Sequence, residues 1–167
     1  MRQINVNELD TSRLFSKIGE QWMLIGAADG NGKTNFMTAS WGGLGVLWNE
    51  NVATCYIRPT RYTMNFTERS EYFTLSFYPP DKRQALTVLG RKSGRDCDKL
   101  ALAGMTQAKL TDAVYCEGAH TVILCKKLYA QDMDADCFTD KSILDKHYPA
   151  RDLHRMYVGK IEKIFLF

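Results

Sequence analysis

One segment of the chain carries residue types that suit the binding of a phosphate group. It contains Arg58, Pro59, Thr60, Arg61, Tyr62 and Thr63, and it follows a β-rich run, Val52–Ile57. Thr60 is placed to cap a helix beginning at Arg61, which would leave the amides of residues 61–63 free at the positive helix end. Two guanidinium groups and two hydroxyl groups lie beside those amides, and a phosphate monoester requires such donors. A capped helix with solvated arginines is the other interpretation, and the residues alone favour neither.

A second segment, Asn35–Trp41, places small residues at the end of a predicted strand, and Gly42 and Gly43 follow it. Backbone amides and carbonyls can bind the edge of a flat polar ring where no bulky side chain intervenes. The candidate ring-binding residues are Met37, Thr38, Ala39, Ser40 and Trp41. Taken alone, this segment is more simply a strand that leads into a glycine loop. Trp41 and Trp48 are each either a cover for such a ring or a part of the core.

Two further features stand later in the chain. Ser93, Gly94 and Arg95 precede Asp96 in a segment that joins two predicted helices, and alone it indicates a turn with Asp96 as a helix cap. His154 lies at the start of the last predicted strand, where a single histidine is usually structural.

In this order, these segments and His154 resemble the flavin reductase-like proteins, a family that includes flavoredoxin and binds FMN on a split β-barrel. The resemblance runs from about Trp22 to Lys163. It implies that residues 58–63 hold the FMN phosphate and ribityl chain and that residues 37–41 contact the flavin ring. It also implies that the loop with Ser93, Gly94 and Arg95 closes over the flavin, often from a neighbouring subunit. Arg95 would then supply charge to the phosphate or to a nicotinamide cofactor.

The resemblance further implies that His154 is a catalytic residue beside the flavin ring and the nicotinamide site. The family often has an aromatic residue before this histidine, whereas this chain has Leu153. That departure weakens any inference about which group stacks on the cofactor.

The function that the resemblance implies is an FMN-binding redox protein, in a homodimer with FMN near the subunit interface. As an enzyme, it would be an NAD(P)H-dependent flavin reductase that passes reducing equivalents to free flavin or another acceptor. As a carrier like flavoredoxin, it would keep FMN bound and exchange electrons with a redox protein, without NAD(P)H oxidase activity of its own. A third interpretation is a non-catalytic split-barrel module that only mediates assembly.

The composition of the chain argues against several other classes of protein. The 167 residues predict one domain, 1–167, with a net charge of +3 and no basic block that would indicate nucleic acid. The longest apolar run, Trp22–Ala28, is too short for a membrane span, and the N-terminus has no apolar signal region. The five cysteines include no pair with CxxC spacing and do not combine with the three histidines in metal-ligand spacing. We therefore expect a cytoplasmic protein without disulfides or a metal site.

The fold is expected to be mainly β, because apolar and polar residues alternate along several runs with the period of antiparallel, half-buried strands. The apolar positions are Phe73, Leu75 and Phe77; Val122, Leu124 and Leu128; and Tyr157, Ile161, Phe165 and Phe167, with Ile164 on the opposite face of the last run. Trp22–Ala28 and Thr34–Ser40 are joined by Asp29–Gly32, a turn sequence typical of a hairpin. A barrel or sandwich of about seven strands follows, and a split barrel is one version of it.

Short helices are expected at the rim of this barrel. Arg61–Arg69 is one, and Pro80–Gly90 is another, with Pro80 in its first turn and Gly90 as its stop. A third begins after Asp96 and ends at Gly104. The run Asp10–Glu20 predicts an amphipathic helix whose apolar side contains Leu14, Phe15 and Ile18.

Overall fold

The computed structural model describes residues 1–110 and 113–167 and consists mainly of antiparallel β-strands. The strands are β1 Arg2–Ile4, β2 Met23–Ala28, β3 Thr34–Ala39, β4 Gly42–Leu47, β5 Glu50–Ile57, β6 Tyr72–Phe77, β7 Gln107–Lys109, β8 Val114–Cys116, β9 Thr121–Asp132 and β10 Arg155–Leu166. The α-helices are α1 Leu14–Gly19, α2 Thr63–Arg69, α3 Arg83–Arg91, α4 Lys99–Ala103 and α5 Ser142–His147. Three short 3₁₀ helices span Val6–Glu8, Pro80–Lys82 and Ala135–Cys137.

Eight strands form one antiparallel sheet in the order β3-β2-β6-β9-β10-β5-β4, with β1 also paired to β10. The strands β7 and β8 form a separate two-stranded ribbon. The predicted hairpin of β2 and β3 is present, and Gly30 and Gly32 both have positive φ in the turn between these strands. A turn of this kind favours glycine, which explains the sequence signal.

The sheet buries both of its faces. Phe73, Leu75 and Phe77 of β6 point into one apolar cluster, together with Ile25 of β2 and Tyr157 of β10. A second cluster, on the opposite face, is covered by α3, α4 and the β7–β8 ribbon. The prediction of half-buried strands is therefore wrong for β6: its polar residues, Thr74 and Ser76, are also buried, and the Thr74 hydroxyl donates to the Val114 carbonyl.

Bulges change which residues share a face in the two longest strands. The pairing of β9 with β10 shifts its register between Val158 and Gly159, so Leu128 has no partner across the ladder and is 42% exposed. A second shift follows Ile161, and beyond it Ile164 belongs to the same cluster as Tyr157, while Phe165 belongs to the other. The predicted faces for Leu128, Ile164 and Phe165 are therefore wrong, because each extra residue reverses the alternation.

The helices also differ from their predicted bounds. In α1, Leu14 and Ile18 pack against the core, but Phe15 is 94% exposed, because a helix of six residues presents only a narrow face to the barrel. The cap of α4 is Asp98, whose carboxylate accepts from the Ala101 amide, rather than the predicted Asp96. Gly104 ends α4 in the left-handed conformation, as predicted.

Candidate functional site

A pocket lies where the end of β3 meets β5, the turn before α2 and the start of β10. It is lined by Met37, Thr38, Ala39, Ser40, Trp41, Tyr56, Arg58, Arg61 and His154. Eight of these nine residues are site residues that the sequence predicted, and Tyr56 is the one that it missed. Tyr56 alternates along β5 with the buried residues Cys55 and Ile57, so its face could have been read from the strand period.

The end of β3 divides its side chains between the core and the pocket wall. Met37 and Ala39 pack in the cluster inside the sheet, whereas the Thr38 hydroxyl donates to the Leu86 carbonyl of α3 over 2.5 Å. A Cβ atom at Gly90 would lie 3.3 Å from the Thr38 Cβ. Gly90 therefore allows α3 to approach the site closely, and the prediction that it stops the helix is wrong, since α3 continues to Arg91.

The segment before α2 forms a tight turn rather than the first turn of the helix. The Arg61 amide donates to the Arg58 carbonyl, and α2 begins at Thr63. The predicted Thr60 cap is wrong for this reason: Tyr62 occupies the cap position, and no side chain caps the helix. The Thr63 hydroxyl accepts a 2.8 Å hydrogen bond from the buried Asn35 amide, which ties the start of α2 to β3.

Arg58 is committed to contacts within the protein. Its guanidinium donates to both carboxylate oxygens of Asp152 over 2.7 Å and to the His147 carbonyl over 2.7 Å, and it lies over the Tyr148 ring. The hydrogen bond from Arg58 lowers the pKa of the Asp152 carboxyl. The charge of Arg58 is thus neutralised at the pocket wall.

Arg61 is in a different position. Its guanidinium lines the same pocket and is partly buried, and burial alone lowers its pKa. In the part of the chain that the structure describes, no carboxylate, hydroxyl or carbonyl bonds this group. Since this half-buried guanidinium has no acidic partner within residues 1–110 and 113–167, it is available to an anionic ligand.

The remaining predicted residues surround this turn without lining the pocket. Pro59 and Thr60 are exposed at its outer side. The Arg95 guanidinium donates to the Thr60 carbonyl over 3.3 Å and lies over the Tyr62 ring. Gly94 approaches Asn35 so closely that a Cβ atom would lie 2.5 Å from the amide oxygen. The loop with Ser93, Gly94 and Arg95 therefore lies against the start of α2 of its own chain.

His154 is buried at the inner end of the pocket and is held by two neighbours. Its Nδ1 atom lies 2.9 Å from the Tyr148 hydroxyl, and its ring lies 4.8 Å from the Trp41 ring. Burial lowers the pKa of His154 to about 4, and the charge of Arg58 adds to this effect. The imidazole is therefore neutral near pH 7. If the Tyr148 hydroxyl donates to Nδ1 rather than to the Met133 sulfur 3.7 Å away, Nε2 of His154 carries the proton and can donate to a ligand.

The two tryptophan residues considered from the sequence lie in different places. Trp41 is 40% exposed between the pocket and His147, whose ring meets it edge-on. Trp48 lies at the tip of the β4–β5 hairpin against Tyr129. Trp41 is thus the tryptophan at the site.

A larger apolar groove adjoins the pocket and shares Ser40, Trp41 and Tyr56 with it. The pocket has a volume of about 230 Å³ and the groove about 700 Å³. Sites for small molecules usually span roughly 300–1,000 Å³. The pocket therefore accommodates only part of a ligand of nucleotide size, and the groove extends the available surface. The groove wall includes the exposed side chains of Phe15 and Ile143.

In residues 1–110 and 113–167, no group of three or more His, Cys, Asp or Glu side chains could hold a metal ion. None of the helices in the same ranges is long and apolar enough to cross a membrane.

The chain is similar to known proteins in both sequence and fold. A family described as the flavin reductase like domain matches residues 15–166. Among solved structures, the FMN-binding domain of a flavin reductase-like enzyme from Shewanella baltica OS155 has a TM-score of 0.67 at 15% identity, covering 99% of this chain and 79% of that chain. Flavoredoxin of Desulfovibrio vulgaris (Miyazaki F) has a TM-score of 0.67 at 20% identity, covering 87% of this chain and 69% of that chain.

A protein with a split barrel domain from Shewanella frigidimarina NCIMB 400 has a TM-score of 0.69 at 18% identity, covering 96% of this chain and 76% of that chain. These likenesses confirm the predicted fold, a mainly β split barrel with short peripheral helices. A comparison with the curated proteins found no matching sequence.

Proposed function

The chain belongs to the flavin reductase-like domain family, and from this membership and the geometry of its pocket we propose that it binds FMN and passes reducing equivalents through it. The family and its fold support a flavin-related redox role. FMN, when bound, would supply the chemistry by accepting a hydride or electrons and passing them on. The chain would supply binding, orientation and the electrostatic surroundings.

The observation that carries the proposal is the partly buried Arg61 guanidinium, which has no acidic partner among the residues that the structure describes. A phosphate monoester carries nearly two negative charges and would supply the missing partner. In the same pocket, the backbone of the small residues Ala39 and Ser40 stands where a ring edge could be bound. The residues present therefore fit FMN.

The role that we propose for each side chain follows from the contacts that it already makes within the protein. Arg61 would hold the phosphate, with Arg95 beside it, while Arg58 would hold Tyr148 and Asp152 in place rather than bind the ligand. His154 would donate its Nε2–H towards the ring. Because this imidazole is neutral, it would orient and polarise the ring without adding a positive charge.

Spectroscopy of the purified protein tests this proposal. We expect a yellow protein with the visible absorbance of bound flavin, which anaerobic NADH or NADPH bleaches if the chain is a reductase. A yellow colour that survives dialysis but is not bleached by either nucleotide would indicate a carrier that receives electrons from a redox protein. A colourless protein that does not bind added FMN would leave only the assembly module.

We also propose a homodimer whose interface covers the apolar groove. The pocket is smaller than a flavin site, and the groove beside it exposes Phe15, Trp41 and Ile143. A second copy of the chain would bury this surface and complete the site, as closed two-fold dimers commonly do.

Replacing Phe15 by Asp tests the dimer without touching the core, because this side chain is 94% exposed. We expect the wild type to sediment at twice 19.1 kDa and the Phe15→Asp variant near 19.1 kDa, with weaker flavin binding. Leu102→Asp is the matched control, because Leu102 is 59% exposed on α4 and lies outside the groove. This variant should remain dimeric. A flavin-bound wild-type monomer at micromolar concentration would contradict the proposal.

A further inference from the structure

The hydrogen bond between Tyr148 and His154 is compatible with two arrangements of its protons. Both residues are buried, and the Tyr148 Oη atom lies 2.9 Å from Nδ1 of His154. In the first arrangement the hydroxyl donates to Nδ1, so the single ring proton of the neutral imidazole is on Nε2. In the second, Nδ1–H donates to the Tyr148 oxygen, and the hydroxyl turns to the Met133 sulfur 3.7 Å away. The choice decides whether Nε2 offers a ligand a proton or a lone pair.

The quality of the two acceptors favours the first arrangement. A thioether sulfur is a weak acceptor, whereas the unprotonated nitrogen of an imidazole is a full one. Tyr148 is only 2% exposed, so its hydroxyl depends on acceptors within the protein. A buried hydroxyl without a good acceptor destabilises the fold. Donation to Nδ1 therefore satisfies this hydroxyl better than donation to Met133.

Arg58 strengthens the Tyr148 hydroxyl as a donor. Its guanidinium carbon lies 5.0 Å from the centre of the Tyr148 ring, and Asp152 fixes its position. A cation over the ring stabilises the negative charge that a phenol develops when it donates, so the hydroxyl donates more readily and accepts less readily. Burial raises the pKa of Tyr148, and the charge of Arg58 opposes this rise more strongly than the charge of Asp152 adds to it.

The backbone on each side holds the two rings in this contact. Tyr148 caps the C-terminal end of α5, where its amide donates to the Leu144 carbonyl over 2.8 Å. The His154 carbonyl accepts from the Met133 amide over 2.9 Å, which ties the residue before β10 to the residue after β9. The Trp41 ring packs on the imidazole, with 4.8 Å between the ring centres. The imidazole is thus held in one orientation, with Nδ1 on the Tyr148 hydroxyl.

We propose that Tyr148 is a positioning residue of the flavin site: its hydroxyl donates to Nδ1 of His154 and thereby fixes the ring proton on Nε2. The inference rests on the proposed function. It adds to the site a residue at the end of α5, outside the segments that the sequence singled out. Tyr148 does not line the pocket, so it acts on a bound flavin through His154.

Nitrogen NMR of the protein with isotope-labelled histidine tests the position of the proton, because protonated and unprotonated ring nitrogens have different chemical shifts. Near neutral pH, we expect Nε2 of His154 to be protonated and Nδ1 to be unprotonated in the wild type. In Tyr148→Phe, both nitrogens should move towards averaged shifts, since no donor then selects one tautomer. A wild type with protonated Nδ1, or unchanged shifts in Tyr148→Phe, would overturn the inference.

Tyr78→Phe is the matched control. Tyr78 is also buried, and its hydroxyl donates over 2.9 Å to the Cys116 carbonyl in the cluster on the opposite face of the sheet. Its loss removes a comparable buried hydrogen bond far from the imidazole. We expect the His154 shifts and the rate of flavin bleaching to stay as in the wild type.

Met133→Leu tests the competing acceptor, because leucine has nearly the same volume as methionine and lacks the sulfur. In the proposed arrangement this replacement leaves the His154 shifts unchanged. If the hydroxyl donates to Met133 in the wild type, loss of the sulfur should move the ring proton from Nδ1 to Nε2. That movement would contradict the proposal.

Reduction kinetics separate a positioning role from a structural one. Tyr148→Phe should bind FMN within about twofold of the wild type but be bleached by NADH or NADPH roughly three- to tenfold more slowly, the effect of losing one neutral hydrogen bond. The double variant, His154→Ala with Tyr148→Phe, should be no slower than His154→Ala alone, because Tyr148 acts through His154. A further loss of rate in the double variant, or an FMN affinity that falls as much as the rate, would overturn the inference.

These measurements also distinguish the inference from the proposed function. If the wild type binds no flavin, the proposed function fails, and the nitrogen shifts alone support or overturn the role of Tyr148 in placing the proton. If the wild type binds FMN and is bleached, but Tyr148→Phe matches it in shifts and rate, only the role of Tyr148 is lost.

Discussion

Replacing Arg61 by Ala should weaken the binding of FMN roughly ten- to a hundredfold and leave the binding of riboflavin nearly unchanged. The reason is that a hydrogen bond to a charged group contributes about 1.5–3 kcal/mol, and only FMN presents the phosphate that would accept it. The variant should fold normally, because the Arg61 side chain makes no hydrogen bond or ion pair among the described residues. Titration of flavin fluorescence with the two ligands measures the difference directly.

Arg69→Ala is the matched control for this experiment. Arg69 is exposed in the last turn of α2, so its loss removes one positive charge from the same element without changing the pocket. We expect this variant to bind both flavins as the wild type does. Equal losses of FMN and riboflavin affinity in Arg61→Ala would show that Arg61 supports the ring or the fold, and Arg95 would be the next residue to replace.

The contrast between Arg58 and Arg61 shows where sequence reasoning ends. Both arginines stand in one hexapeptide and were equal candidates for the phosphate. The structure separates them, because Asp152 and His147, about ninety residues away in the chain, bind the Arg58 guanidinium. The Arg61 guanidinium has no such partner in the described part of the chain. Long-range partners of this kind have no local signal in a single sequence, so the segment could be predicted but the role of each residue in it could not.

The correct and the wrong strand predictions are explained by the same difference between local and long-range signals. Alternation located β6, β9 and β10 because the period of two is a property of the backbone itself. The bulges that reverse the faces of Leu128 and Phe165 depend on pairing between distant strands.

The His154→Ala variant should keep its yellow colour and a nearly normal FMN affinity. The rate at which saturating NADH or NADPH bleaches its flavin absorbance should fall at least about tenfold, which corresponds to an increase of about 1.4 kcal/mol in the activation free energy. The structure gives this residue a defined contribution: Tyr148 fixes the ring, Trp41 packs against it, and the neutral imidazole can donate from Nε2. His147→Ala is the matched control, because His147 contacts Trp41 from outside the pocket. This replacement should change the bleaching rate less than about twofold. Stopped-flow spectroscopy provides the measurement.

The low pKa of His154 adds a pH criterion to this prediction. In the folded protein the imidazole stays neutral down to a pKa of about 4, whereas in the unfolded chain it takes up a proton at the ordinary histidine pKa of about 6.5. The unfolded state therefore binds more protons between these values, so the contribution of His154 to stability is present at neutral pH and is lost as the pH falls from 6.5 towards 4. His154→Ala should remove this part of the acid sensitivity. In the wild type, the bleaching rate should show no titration of His154 near pH 6.5, because the donor is already neutral there. A rate that follows an ionisation near that pH, and loses it in the variant, would mean that His154 acts as a cation and that its neutral, donor role is wrong.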